Sequence, residues 1–372
     1  MSAASRSCGL LLQLISSIAL TSQTDRKGPA YALLAAALFG ASTPVAKILL
    51  GRTQPILLAA LLYLGSGVGL TAWLIVRRAV TSQPAREANL KESDLPWLSA
   101  AVFSGGVVGP ALLLIGLRLT PASSASLLLN LEGVFTATLA WFVFKENFDR
   151  RIALGMGAII AGGFVLAWTG RPEVGIPWGP VAIVGACLAW AIDNNLTRNV
   201  SGGDPIQVAA AKGLVAGTVN LIISFAVGAS LPGLKTLSEA GVLGLLSYGV
   251  SLVLFVLALR RIGTARTGAY FSAAPFVGAL LSIIVLKENI TVGFAVAAAL
   301  MLVGIWLHLT ERHDHEHVHE ATEHDHRHTH DEHHRHHDDP ALLAQTHSHM
   351  HRHEKLRHSH PHYPDIHHRH DH

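Results

Sequence analysis

Lys145-Glu146-Asn147 ends one long apolar run, and Lys287-Glu288-Asn289 ends another 142 residues later. The same offset carries Gly116-Leu117-Arg118 onto Ala258-Leu259-Arg260 and Ala125-Ser126 onto Thr267-Gly268. Nearer the N-terminus, Gln54-Pro55-Ile56 falls on Asp204-Pro205-Ile206 at an offset of 150, so one connecting loop is shorter in the second half. The chain is written twice from one pattern. If each copy holds an odd number of membrane spans, the copies must cross the bilayer in opposite senses. That is an inverted repeat, an architecture of secondary transporters whose sites lie near the midplane where the halves meet.

A helix needs about 20 apolar residues to cross the hydrocarbon core. Ten stretches qualify: Pro29–Leu50, Pro55–Val76, Pro96–Leu117, Pro121–Phe144 and Ile152–Trp168, then Pro177–Arg198, Pro205–Ala229, Ala240–Leu259, Thr264–Leu286 and Ile290–Leu309. Proline stands at or near the start of many, where its missing N–H costs nothing. Glycines inside them, such as Gly162-Gly163 and Gly213/Gly217, allow close helix approach. Half of the 372 residues are hydrophobic and 14% are charged. The mean hydropathy of +0.38 is too apolar for a soluble globule of this size. The expected fold is an all-α polytopic membrane protein: ten transmembrane helices as two five-helix inverted repeats, residues 29–169 and 177–309. A leader (1–28) precedes them and a His-rich tail (310–372) follows, the tail disordered. Within the leader, Cys8–Leu20 is apolar but too short to span and lacks a small-x-small cleavage site, so it is expected to be interfacial or disordered. Cys8 and Cys187 are too few for a disulfide framework or a cysteine-based zinc site and read as packing residues.

Basic residues in short loops orient the spans. With the N-terminus in the cytoplasm, the inner loops hold Arg26, Lys27, Arg77, Arg78, Arg86, Lys91, Lys145, Arg150, Arg151, Arg198, Arg260, Arg261 and Arg266. The outer loops hold only Arg52, Arg118, Arg171, Lys235 and Lys287. Both termini are therefore expected in the cytoplasm of a plasma (inner) membrane protein. Residues 1–307 carry 21 Lys/Arg and 12 Asp/Glu, and the tail carries 7 and 13. The basic body suits cytoplasmic loops, the acidic tail suits cations, and neither implies nucleic acid.

The five-plus-five pattern resembles the EamA-type members of the drug/metabolite transporter superfamily. The marks are the Leu-Arg closing spans three and eight and the Lys-Glu-Asn closing spans four and nine. The resemblance covers about residues 29–309. It implies a ten-helix permease, often an exporter of small metabolites, and leaves the substrate open. It also implies that a basic residue early in span seven is a common feature, a position filled here by Lys212.

A charged group deep in the bilayer is expensive and usually functional. Glu132 lies mid-way along span four, in Asn130-Leu131-Glu132-Gly133, and its repeat mate is Ala274. Asp193 lies in span six, followed by Asn194 and Asn195. The functional reading is a cavity lined by Asn130, Glu132, Asp193, Asn194, Asn195 and Lys212. A low dielectric favours the neutral carboxyl, so Glu132 or Asp193 suits proton antiport, and the same oxygens suit a divalent cation. The structural reading is an ion pair of Lys212 with either acid, holding the halves together. Lys47 and Arg198 read as snorkelling to the surface. Tyr63, Trp190, Tyr248 and Tyr270 read as packing or interfacial anchors. There is no Gly-rich phosphate loop and no Ser/His/Asp set, so neither ATP-driven transport by this chain nor enzymatic catalysis is expected.

All 24 histidines lie at or after His308. They alternate as His-x-His: His313, His315, His317 and His319; His324, His326, His328 and His330; His347, His349, His351 and His353; and His358, His360 and His362. Imidazole suits Zn, Ni, Co and Cu. The alternation would face one side of a strand, yet hardly any apolar residue supports a core, hence the expectation of disorder. No cofactor is required, but the tail is expected to bind these metals. Three functions follow. The first is a secondary transporter exporting a small solute, modulated or fed by the tail. The second is a divalent metal exporter (Ni, Co or Zn). The third is a membrane metal sensor or buffer that transports nothing. Proton coupling and pairing into a homodimer stay open, and the lipid bilayer is the one partner common to all three.

Overall fold

The computed structural model describes residues 27–80, 95–144, 150–168, 177–197 and 204–309, and in the tail 314–319, 323–328, 347–352 and 356–361. Calls on the leader, on Arg198, and on His313, His330, His353 and His362 lie outside the described residues. From residue 27 to 309 the described chain is helical. The helices are α1 (Lys27–Gly40), α2 (Ser42–Leu49), α3 (Pro55–Val80), α4 (Leu95–Ala101), α5 (Gly109–Leu119), α6 (Ala122–Leu128), α7 (Leu131–Phe144) and α8 (Arg150–Trp168). The second half adds α9 (Trp178–Thr197), α10 (Pro205–Ala226), α11 (Leu234–Gly244), α12 (Ser251–Phe271), α13 (Ala274–Leu286) and α14 (Val292–Leu309). π-Helical turns join α4 to α5 (Val102–Val108) and α11 to α12 (Leu245–Val250). Among the described residues, six helical segments are long and apolar enough to cross a membrane, and Ala274–Leu286 and Val292–Leu307 are shorter apolar helices.

Several expected spans are broken, and prolines account for two of the breaks; the third, at Leu129-Asn130 between α6 and α7, has no proline beside it. A proline removes the bond to the carbonyl four residues back and crowds it. Pro44 therefore separates α1 from α2 at Ala41, and Pro275 separates α12 from α13 at Ser272-Ala273. Pro110 frees the carbonyl of Gly106 inside the first π-turn, and the Asn220 amide takes it at 2.9 Å. The loop expected at Arg260–Gly263 is absent: α12 runs unbroken to Phe271. Its counterpart in the first half, Thr120-Pro121, carries a proline, and residues 260–266 carry none.

The helices pack in reciprocal pairs: α1 on α12 and α9 on α5, α3 on α10, α8 on α14, and α6 on α13. Glycine sets the closest of these. A Cβ on Gly213 of α10 would stand 2.6 Å from the Gly67 nitrogen of α3, and one on Gly217 would stand 2.7 Å from the Leu64 nitrogen. At Gly162 of α8, the Ala297 carbonyl of α14 lies 3.0 Å from such a Cβ. Backbones this close exchange dispersion contacts that lipid cannot replace. Gly213→Leu is expected to destabilise the protein by about 1–3 kcal/mol through overpacking, read as a lower melting temperature in detergent.

In the tail the described residues form four short strands: β1 (Asp314–His319), β2 (Glu323–His328), β3 (His347–Arg352) and β4 (Leu356–Pro361). β1 pairs with β4 and β2 with β3, both antiparallel, with His317 opposite His358 and His326 opposite His349. The two-residue alternation suits a ladder, which satisfies backbone groups without needing a core. A two-stranded ribbon remains marginal in water.

Candidate functional site

The polar residues inside the bundle gather around the C-terminal half of α9. Asp193 is buried, and Lys212 of α10 donates to both its carboxylate oxygens, at 2.6 and 2.7 Å. Thr197, one turn on, donates to Oδ1 at 2.8 Å. A Cβ on Gly105 would collide with the Asp193 carboxylate, so only glycine leaves room for it beside the first π-turn. The Asp193 charge is thus fully compensated.

Glu132 has no such cation. It opens α7, and its Oε1 accepts from the Asn194 amide at 2.8 Å. Among the described residues it forms no ion pair. A Cβ on the adjacent Gly133 would meet nothing within 4 Å. Asn194 is exposed, and its amide also lies 3.5 Å from Thr136 Oγ1. Asn195 turns to the Ala191 carbonyl at 2.8 Å and the Thr136 carbonyl at 3.4 Å.

The π-turn forms the floor of this region. Its Gly105 carbonyl accepts from Tyr63 OH and from Trp190 Nε1, each at 2.9 Å. Buried polar backbone must find partners, and here two aromatic side chains supply them. Tyr63 thereby stands on the turn whose Gly105 backs the Asp193 carboxylate. Its ring packs on Tyr248, with centroids 5.4 Å apart, and Tyr248 packs on Phe39 at 5.9 Å.

The EamA-like transporter family matches residues 26–168 and, a second time, residues 177–310. The chain belongs to the EamA-like transporter family. An uncharacterized transporter of Methanothermobacter thermautotrophicus is 30% identical over 74% of this chain and 84% of its own length. The uncharacterized transporter YyaM of Bacillus subtilis is 23% identical over 72% and 88%. The uncharacterized inner membrane transporter YedA of Escherichia coli is 25% identical over 66% and 78%. A solved crystal structure, 19% identical, aligns with a TM-score of 0.56 over 75% of this chain and 95% of its own, so the two share a fold. The protein is an integral membrane transporter.

Within this EamA-like transporter, Glu132, Asp193, Asn194, Asn195 and Lys212 converge, and Asn130 does not. Asn130 is buried, and its amide binds the Leu127 carbonyl at 2.9 Å and touches Met301 Sδ at 3.7 Å. Asn130 lies in the turn between α6 and α7, and its amide is taken up by these contacts and not by Glu132. The Asp193–Lys212 pair joins α9 to α10, both in the second half, and does not tie the halves together. The Glu132–Asn194 contact does that. Lys47 does not snorkel to open surface. It donates to the Leu117 and Thr120 carbonyls at 2.5 and 2.8 Å, where the exposed C-terminal carbonyls of α5 favour a cation. Among the described residues, no group of three or more His, Cys, Asp or Glu is placed to hold a metal ion.

The sequence reading missed Gly105 and Asn220, whose roles come from the π-turn, and read Tyr63 and Trp190 as packing or interfacial anchors without their hydrogen bonds to it. It also missed what the second Lys-Glu-Asn does. Glu288 accepts from the backbone N–H groups of Ala122 and Ser123 at 2.7 and 2.8 Å, capping α6 of the opposite half. Glu288→Ala is expected to cost about 0.5–2 kcal/mol, the usual worth of a lost cap, with most recovered in Glu288→Asp, as measured by thermal unfolding in detergent.

Proposed function

We propose that this protein is a secondary-active exporter of a small organic solute in the plasma (inner) membrane, with Glu132 as its proton-coupling carboxylate. One observation carries the reading: of the two acids in the cluster, Asp193 is neutralised by Lys212, whereas Glu132 is met by an amide alone. An uncompensated carboxylate inside a bilayer is costly. A proton in one step and a solute in the other can each relieve that cost, which is what an antiporter requires. The Glu132–Asn194 contact also lies between the halves, the place where transporters of repeated architecture bind their cargo.

Ten spans in a five-plus-five inverted repeat complete the proposal. Three observations support it: the family matches twice, the helices pair reciprocally, and the π-turns lie at the offset of 142 residues already seen in the motifs. The loop-charge bias supports cytoplasmic termini, which puts the His-rich tail where it meets cytoplasmic Zn, Ni, Co or Cu and modulates transport. YedA, a relative, is named an inner membrane transporter.

Export of a divalent metal is the second reading, favoured by the tail. Against it, Asp193 already spends its charge on Lys212, which leaves one carboxylate and amide oxygens for the ion. Membership of a transporter family favours transport over a sensor. Reconstituted liposomes with an imposed pH gradient separate the readings. Organic solutes from a mixed panel are expected to move, and Ni, Co and Zn are not. Metal flux that vanishes in Glu132→Gln would overturn the first reading in favour of the second. Deleting residues 311–372 is expected to abolish metal binding in calorimetry while leaving gradient-driven solute flux in place.

A further inference from the structure

We propose that Glu288 is the gating residue of the bundle face at which α2, α5 and α13 end and α6 begins. The proposal rests on the transport reading only for the existence of two access states. It needs neither the solute nor the coupling ion.

Three polar contacts sit on this face, and two of them cross between the halves. Glu288, from the second half, holds both first-turn amides of α6 in the first half. Lys47 of α2 holds the last carbonyls of α5. Arg52, five residues along, pairs with Glu239 of α11 at 3.1 Å, again across the halves. Glu288 is aimed by an unusual backbone. Lys287 closes α13 at φ 55° and ψ 40°, the left-handed region, and among the described residues no other non-glycine has a positive φ. Such a conformation persists where the surroundings enforce it, and here it turns Glu288 back onto α6.

Deeper in, the same face is shut by backbone contact. Cβ atoms added at Gly65, Gly244 or Gly40 would collide with Gly241, Leu62 and Ala274 of the facing helices. The closure has a polar cost. Thr53, Thr120 and Ser126 each bury a hydroxyl oxygen without a hydrogen-bond partner, and an unmade bond of this kind is expensive. Opening would hydrate all three. The face therefore combines a penalty for staying closed with a polar latch that holds it closed. Beside Glu132, by contrast, Gly133 faces open space and Asn194 is exposed.

The test reads thiol access in the full-length protein. Ser126→Cys, in a Cys8→Ser background, places a probe one turn below the latch, and buried Cys187 serves as an internal control. Proteoliposomes are treated with a membrane-impermeant maleimide. Adding Glu288→Ala is expected to raise labelling at position 126 roughly fivefold, the population shift from losing one cap of ordinary strength, with Cys187 still protected. Glu288→Asp, which keeps the charge on a shorter arm, is expected to fall between. Unchanged labelling at 126 in both variants would overturn the proposal. So would labelling that rises equally at 126 and at Cys187, because that reports general loosening and not a gate.

Discussion

Lys212→Met is expected to destabilise the protein by about 3–5 kcal/mol, the cost of leaving a buried charge without its partner. The pair is well enclosed, with the side chains of Lys212 and Asp193 only 16% and 10% exposed, so solvent does little to screen the loss. The Asp193 carboxylate would keep the Thr197 hydroxyl and nothing cationic. It cannot swing away, because the first π-turn backs it at Gly105. Replacing both partners is a different experiment. Asp193→Asn with Lys212→Met removes the two charges together, and buried ion pairs often yield to neutral groups of similar size at little cost. Most of the lost stability is therefore expected to return in the double variant. The measurement is thermal unfolding in one detergent, arranged as a double-mutant cycle. A Lys212→Met protein as stable as the parent would mean the pair is not formed.

Glu132→Gln is expected to do the reverse: little change in stability, and loss of gradient-driven transport to the level of protein-free liposomes. Glutamine keeps the shape and still accepts from Asn194 through its amide oxygen, so the contact between the halves survives. What it cannot do is gain and lose a proton. Solute counterflow, in which one solute molecule exchanges for another without net proton movement, is expected to persist in this variant. The two substitutions thus assign different work to two acids that the sequence alone cannot rank.

That limit has a physical origin. Glu132, Asp193 and Lys212 were legible because charge in a 20-residue apolar run is rare and costly. Which acid pairs with Lys212 depends on how α9 and α10 rotate against each other, and no local pattern encodes that. Asn130 is drawn into the cluster by proximity in sequence, yet it sits in the turn between α6 and α7 and its amide binds the Leu127 carbonyl there. The duplication was legible from Lys-Glu-Asn and Leu-Arg at one offset, and the second family match reads the same way. The role of Glu288 was not, because its partners lie 165 and 166 residues away. The helix breaks at Pro44 and Pro275 follow from proline alone, but long apolar runs conceal them. The Gly105 and Gly106 carbonyls escaped notice because a π-turn has no apolar periodicity of its own. In the tail, His-x-His alternation was visible, and the expectation of disorder followed from the missing core.

The central claim is that one carboxylate couples and the other is structural. It is tested most directly by a pH-sensitive dye inside liposomes, which records proton movement when a transported solute is added outside. The parent and the Asp193→Asn, Lys212→Met double variant are both expected to move protons, and Glu132→Gln is expected to move none. Proton movement in Glu132→Gln equal to the parent, or its loss in a stably folded double variant, would contradict the assignment.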